Sequence, residues 1–329
     1  MNKEKKGPIS NELFTLLVFV ILFLSVLAAF SMLNRNFFSV RNMLNILKHV
    51  SVIAIAALGL TFVIAVGHAD ISFYMTSCFS AMLMSWLIAR GLSPLLCIAA
   101  GIAGGLVWGA FSGFVVGRYK LPDKISTIAI GSIAFGMAYL FSDGAFIYTN
   151  FTSSGITDLN NARLFGIPVP VLIMAALYLA AYVVMERSKY GRQFYSVGYN
   201  KKAAFFSGIG VDRVIVVAFV VCSAMAAVST MITSAAQGNG NVKSGLTLLM
   251  PCFSAVYIGF AVFKKPSVIG TFLGAVFTAM IQNGFTLMSV PFYYSDMVVS
   301  GLLILAILFS RFELSSQLAR RPKQQKEGR

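Results

Sequence analysis

The fold this sequence predicts is an all-α integral membrane protein of about ten transmembrane helices, arranged as two inverted-topology halves with both termini cytoplasmic. Three observations carry that expectation. Hydrophobic residues make up 58% of the chain and charged residues 11%. The charged share is less than half the roughly 25% of a soluble globular domain, so the chain needs lipid as its solvent. It also divides into successive apolar runs near the roughly 20 residues that a bilayer core requires. Finally, short segments of the first half recur in the second, where the chain runs the opposite way.

Taken in order, the apolar runs lie near 13–33, 50–67, 72–89, 95–117, 125–142, 168–185, 214–236, 247–263, 268–289 and 296–311. The basic start, with Lys3, Lys5 and Lys6, resembles a signal n-region. The run that follows is too long for an h-region and lacks a small-residue cleavage site, so it reads as a first membrane helix. Arg118, Lys120 and Lys124 follow the fourth run and Lys264 and Lys265 the eighth; Arg311, Arg320 and Arg321 follow the tenth. All fall on the side of the N-terminus, which the positive-inside rule makes cytoplasmic. Arg35, Arg41 and Lys48 fall on the other side, in a stretch from 34 to 50 that reads as an amphipathic interfacial helix with Phe37, Phe38, Leu44 and Leu47 on its apolar side. The whole is one permease-like domain over 1–329: a first half at about 13–142, a second at about 168–311, a polar loop at 186–213 and a basic tail at 312–329.

The repeats give the halves their relation. Cys78-Phe79-Ser80-Ala81 recurs as Cys252-Phe253-Ser254-Ala255, and Gly101, Gly105, Pro122 and Ser126 correspond to Gly270, Gly274, Pro291 and Ser295 at one constant offset. The third run points outward and the eighth inward, so the repeat is inverted, as in transporters whose pathway lies near the pseudo-symmetry interface. The four cysteines sit inside apolar runs without metal-ligand spacing and read as small core residues. The net charge of +15 resides in loops and tails, which points to membrane lipid or an acidic partner and away from nucleic acid.

Several residues stand out from the apolar background. Gly101, Gly105, Gly109, Gly113 and Gly117 recur every four residues and make a smooth ridge for close helix packing, or for one helix to slide on another. Asp70 is the only acidic residue deep in an apolar stretch. It is either a proton or cation site, as a stand-alone ion-coupled secondary carrier would need, or, with Ser72, a cap on the helix that follows. Gln282 and Asn283 are placed to touch a hydroxylated solute or to glue helices together, and Phe260 is placed to gate a pathway or to sit in an interfacial belt. These five residues, Asp70, Ser72, Gln282, Asn283 and Phe260, are the candidate translocation set. The loop at 186–213 carries Arg187, Lys189, Arg192, Lys201, Lys202 and Arg213 against Glu186 and Asp212, with a helical run around Lys201–Phe206 between Gly198 and Gly208. No phosphate-binding G-x-x-x-x-G-K-[ST] loop occurs, so ATP is bound elsewhere if it is used.

Three motifs carry a family likeness. They are Gly67-His68-Ala69-Asp70-Ile71-Ser72, the run from Gly191 and Arg192 through Val197-Gly198-Tyr199-Asn200 to Ala203-Ala204 and Ser207-Gly208-Ile209, and Ile269-Gly270-Thr271 through Gly274 to Asn283-Gly284. On these the chain resembles the membrane permease subunits of bacterial ABC sugar importers of the ribose, xylose, arabinose and autoinducer-2 type. The resemblance implies a non-enzymatic subunit of the bacterial inner membrane that binds no cofactor itself. It implies a second permease chain as partner, identical or different, a cytoplasmic ATPase carrying ATP-Mg, and a periplasmic or tethered solute-binding protein. It also implies that Asn200 to Phe206 form a coupling helix seated in the ATPase, with Ala203, Ala204 and Phe205 as buried contact, Lys201 and Lys202 as rim, and Arg192, Gly198 and Gly208 shaping the loop; the alternative is a solvated basic loop that only sets topology. The chain departs from the family where His68 replaces a glycine, where Phe73-Tyr74 replaces Val-Gly, and over Tyr257–Lys265, which leaves the solute and the choice between homodimer and heterodimer open.

Overall fold

The computed structural model describes residues 11–319, with side chains described for 16–308. Lys3, Lys5, Lys6, Arg320 and Arg321 lie outside the described residues. The structure is helical almost throughout. The long helices are α1 (Asn11–Leu33), α2 (Val40–Ala65), α3 (Phe73–Ala89), α4 (Pro94–Gly117) and α5 (Asp123–Tyr139). One turn, α6 (Asp158–Asn161), and a two-residue hairpin pairing Arg163–Leu164 with Ile167–Pro168 precede α7 (Val169–Tyr182), which ends in a π turn at Val183–Arg187. The polar loop forms α8 (Lys189–Tyr199) and α9 (Lys201–Phe206), and the chain closes with α10 (Val211–Gln237), α11 (Leu249–Phe263), α12 (Val268–Leu287) and α13 (Phe292–Ala319). Seven of these helices are long and apolar enough to cross a membrane; Phe73–Ala89 and Phe292–Leu308 are shorter apolar helices. The chain is therefore an all-α, multi-pass membrane protein.

Two helices make the core. In α2 nearly every residue from Val50 to Ala65 is buried, and α10 is buried along most of its length, whereas α1 faces outward over its span. Lipid supplies no hydrophobic drive between helices, so small residues and hydroxyls join them. A Cβ on Gly59 would stand 2.8 Å from the Cα of Cys222, and the Ser229 hydroxyl donates to the Val52 carbonyl at 2.7 Å. Thr61 and Thr271 share a hydrogen bond of 2.7 Å, and Thr230 donates to Ser77 at 2.8 Å. All four cysteines are free and buried, in keeping with their reading as core residues.

The packing repeats. Helix α2 lies on α10, α11 and α12, while α10 lies on α2, α3 and α4; α5 covers α3 and α4 as α13 covers α11 and α12. The glycine ridge of α4 forms a close seam. Cβ atoms added at Gly105, Gly109 and Gly113 would all press on α10, at distances of 2.7–3.0 Å from its backbone. Gly101 faces both the Ser80 carbonyl of α3 and Met231 of α10, and Gly117 faces Asp212 and Ile215 at the start of α10.

One expectation fails. Residues 34–50 do not form a separate interfacial helix: from Val40 they are the first turns of α2, which Ser39 caps by accepting from the Asn42 N–H at 3.2 Å. Phe37 is buried against Phe30, and the Asn42 and Asn283 amides exchange hydrogen bonds of 3.0 and 3.1 Å. These contacts hold the segment upright on α12.

Candidate functional site

The loops gather at two ends of the helix bundle. At one end meet the 66–72 turn, the start of α5, the α8–α9 loop and the α11–α12 turn. The Tyr195 hydroxyl donates to the Pro266 carbonyl at 2.8 Å, and Lys265 pairs with Glu186 at 3.0 Å. Gly198 backs directly onto the Ala65 carbonyl, so a side chain there would push α8 off the end of α2. At the opposite end Asn34 reaches the Leu287 carbonyl, Asn150 reaches the Ala89 carbonyl, and Ile147 bridges Gly240.

Helix α9 is built as the sequence implies. Asn200, in extended backbone, caps it by accepting from the Ala203 N–H at 3.0 Å, and Gly208, at φ +79°, ends it in a conformation that side chains resist. Its faces differ from expectation. Ala204 is buried within this chain, while Phe205 is 66% and Phe206 85% exposed. Ala203, Lys202 and Arg192 are also exposed. Phe206, inside the expected coupling run but not among its expected contacts, is the most protruding apolar side chain of the helix, and Ala204 is its anchor.

Lys201 is exposed at the edge of the helix and is also tied to the fold. Its ammonium lies 2.7 Å from His68 Nε2, and His68 Nδ1 lies 3.2 Å from Asp123 Oδ2, which also accepts from the Ala69 N–H at 2.9 Å. Burial, with the Lys201 charge behind it, holds the His68 imidazole below its ordinary value despite Asp123. Burial lowers the Lys201 ammonium too. Burial would raise the Asp123 carboxyl, but the N–H groups of Ala69 and Lys124, with His68, outweigh it and leave it low. The consistent protonation is therefore an ammonium donating to a neutral imidazole, which in turn donates from Nδ1 to a carboxylate. This chain of three ties α9 to the 66–72 turn and to α5. Beside it, a cavity of about 800 Å³ is lined by Arg118, Lys120, Lys202, Phe205, Phe206 and Asp212 among others.

The five expected translocation residues do not come together. Asp70 and Ser72 have no solvent exposure. One carboxylate oxygen of Asp70 accepts from the Ser72 N–H at 2.7 Å and from its hydroxyl at 2.6 Å, the other is buried without a hydrogen-bond partner, and burial pushes the carboxyl up to about 6. This bond turns the backbone just ahead of α3, and both side chains are closed to solvent in this chain. His68 turns away from Asp70 to Asp123 and Lys201. Asn283 exchanges amide hydrogen bonds with Asn42 and so joins α12 to α2. Phe260 stacks edge-on against Tyr257 near the loop-rich end of α11. Gln282 and Asn283 both line a cavity of about 630 Å³ at the opposite end, Gln282 with its side chain unpaired and Asn283 through its bonds to Asn42.

The model of a family described as the branched-chain amino acid transport system / permease component matches residues 42–308. The chain belongs to this permease family. The ribose import permease protein RbsC of Bacillus subtilis is 30% identical to the permease over 311 residues, 94% of this chain and 93% of that one. RbsC of Escherichia coli K12 is 28% identical over 88% and 91%, and the L-arabinose ABC transporter permease protein AraH of Azospirillum brasilense is 25% identical over 91% and 88%. No solved structure matches significantly. In this permease the motif position where the resembled sugar permeases carry a second glycine is His68, the side chain that holds Lys201.

Proposed function

We propose that this chain is the membrane-spanning subunit of an ATP-driven ABC importer that moves a small hydroxylated solute, a monosaccharide or sugar-like compound, into the cytoplasm across a bacterial inner membrane. It spans the membrane about ten times as one domain over 1–329, in two inverted halves at about 13–142 and 168–311, with both termini cytoplasmic. The matched packing of α2 with α10–α12 and of α10 with α2–α4 supports the inversion. The gathering of Arg118, Lys124, Lys201, Lys202 and Lys265 at one end of the bundle supports the orientation. The full-length likeness to ribose, arabinose and allose permeases supports the solute class. ATP-Mg is bound by a separate ATPase, and a second permease chain and a solute-binding protein complete the assembly.

The observation that carries the reading is α9. A six-residue helix is too short to persist alone, yet this one is capped, anchored through Ala204 and tied through Lys201, and it holds two phenylalanines out of the fold. Aromatic side chains held rigidly in that way are the usual anchors of a protein interface. The occupant is the ATPase, with Ala203, Phe205 and Phe206 as contact and Lys202 and Arg192 at the edge. The carrier alternative depended on Asp70 as an ion site, and Asp70 is sealed beneath Ser72.

A crosslink tests this. The four native cysteines are buried, so a Phe206→Cys chain carries one accessible thiol. With a bifunctional maleimide it should join to the ATPase subunit in membranes. Joining only to other permease chains contradicts the reading.

The Lys201–His68–Asp123 tie also makes coupling pH-dependent. A histidine held below its ordinary value binds its proton less readily folded than unfolded. Its contribution is therefore complete above about pH 6.5 and is lost as pH falls through the depressed folded value. Protonation replaces a hydrogen bond from Lys201 by repulsion; the other charges close by include the Arg118–Asp212 pair, at 3.7 Å. ATP-driven uptake should fall on the acid side of about pH 6.5, and a His68→Gln chain should show a flatter profile over the same range.

A further inference from the structure

At the end of the bundle opposite α9, the cavity of about 630 Å³ opens between the first turns of α2 and α11 and the last turns of α10 and α12. It has the volume for a monosaccharide. Asn45, Lys48 and His49 fall at i, i+3 and i+4 on α2, which places them on one helical face. Gln282 of α12 and Thr247, just before α11, face the same space. The Asn42–Asn283 amide pair fixes α2 to α12 at its wall. Among the described residues, the side chains of Asn45, Lys48, His49, Thr247 and Gln282 make no hydrogen bond within the chain. Unpaired polar groups at the mouth of a membrane protein are costly unless water or a ligand meets them.

The lining has a sign. It holds Lys48, with Arg163 near enough to repel it, and no carboxylate. A neutral sugar would satisfy the amides and hydroxyls but leave the ammonium uncompensated, whereas an anionic group would pair with it. We infer that this cavity is a solute site for a hydroxylated anion, a sugar acid or a sugar phosphate, with Lys48 taking the charged group and Asn45 and Gln282 the hydroxyls. The inference rests on the importer reading and narrows its solute.

The test is equilibrium binding to the full-length permease in lipid nanodiscs, with D-ribose, D-ribonate and ribose 5-phosphate as probes. At least one acidic probe should bind tenfold or more tighter than ribose, and which of the two wins distinguishes carboxylate from phosphate. Lys48→Met should abolish that preference, and Gln282→Leu should weaken all binding severalfold. Both sites face open space, so both chains should keep the wild-type melting temperature, and a variant that does not is replaced by Lys48→Gln, with the same expectation. Equal affinity for all three probes, no binding, or a preference that survives removal of Lys48 overturns the inference. The Phe206→Cys crosslink reads the importer assignment separately, so that failure here with the crosslink intact leaves the importer standing.

Discussion

Replacing Gly109 with leucine should leave almost no folded protein. A Cβ at that position would lie 2.7 Å from the Phe219 carbonyl oxygen and 2.8 Å from the Val220 Cα. Both are backbone atoms of α10 and cannot rotate away, so the helices must separate. Overpacking in a close-packed interior costs about 1–3 kcal/mol where side chains can yield, and here they cannot. A loss above about 3 kcal/mol removes a large part of the 5–15 kcal/mol that keeps a typical protein folded. Detergent-extracted yield and melting temperature should both collapse. Gly136 of α5 is the control: nothing lies within 4 Å of a Cβ added there, so Gly136→Leu should extract and melt like the wild type.

Phe206→Asp should do the reverse, leaving the fold intact and stopping transport. The side chain is 85% exposed, so its removal costs the permease little. A carboxylate in place of an aromatic anchor loses the apolar contact and buries an unpaired charge against the partner. Anchors of this kind are worth at least about 2 kcal/mol, which converts to roughly a thirtyfold weaker association. ATP-driven uptake should fall by that order or more while the melting temperature of the permease stays within a degree or two. Ala204→Leu should instead disturb the fold locally, since that methyl is packed inside the chain.

What the sequence revealed depended on whether the signal was local. The ridge of Gly105, Gly109 and Gly113 was legible because a four-residue spacing on one helix fixes a face without reference to its partner. The stretch at 34–50 misled for the opposite reason. An amphipathic pattern looks the same whether a helix lies in the interface or stands on end. What decides is the bond between Asn42 and Asn283, 241 residues apart. The Lys201–His68–Asp123 tie was hidden likewise, joining residues 133 and 55 positions apart. On α9 the type and ends of the helix were readable from Asn200 and Gly208, but six residues carry too little periodicity to say that Ala204 turns inward and Phe206 outward. The polar residues Asp70 and Gln282 looked equivalent as candidates for a pathway. Burial separates them: Asp70 is closed off from solvent with one oxygen held by Ser72, while Gln282 faces a cavity with its side chain unpaired.

The central claim is that this permease is driven from its α9 surface by a separate ATPase. The most direct measurement is solute uptake into proteoliposomes that contain the permease with its partner permease and solute-binding protein, with and without the ATPase subunit and ATP. The account predicts uptake only when ATPase and ATP are both present, abolished by Phe206→Asp. Uptake by the permease alone, driven by an ion gradient and indifferent to Phe206, would contradict it.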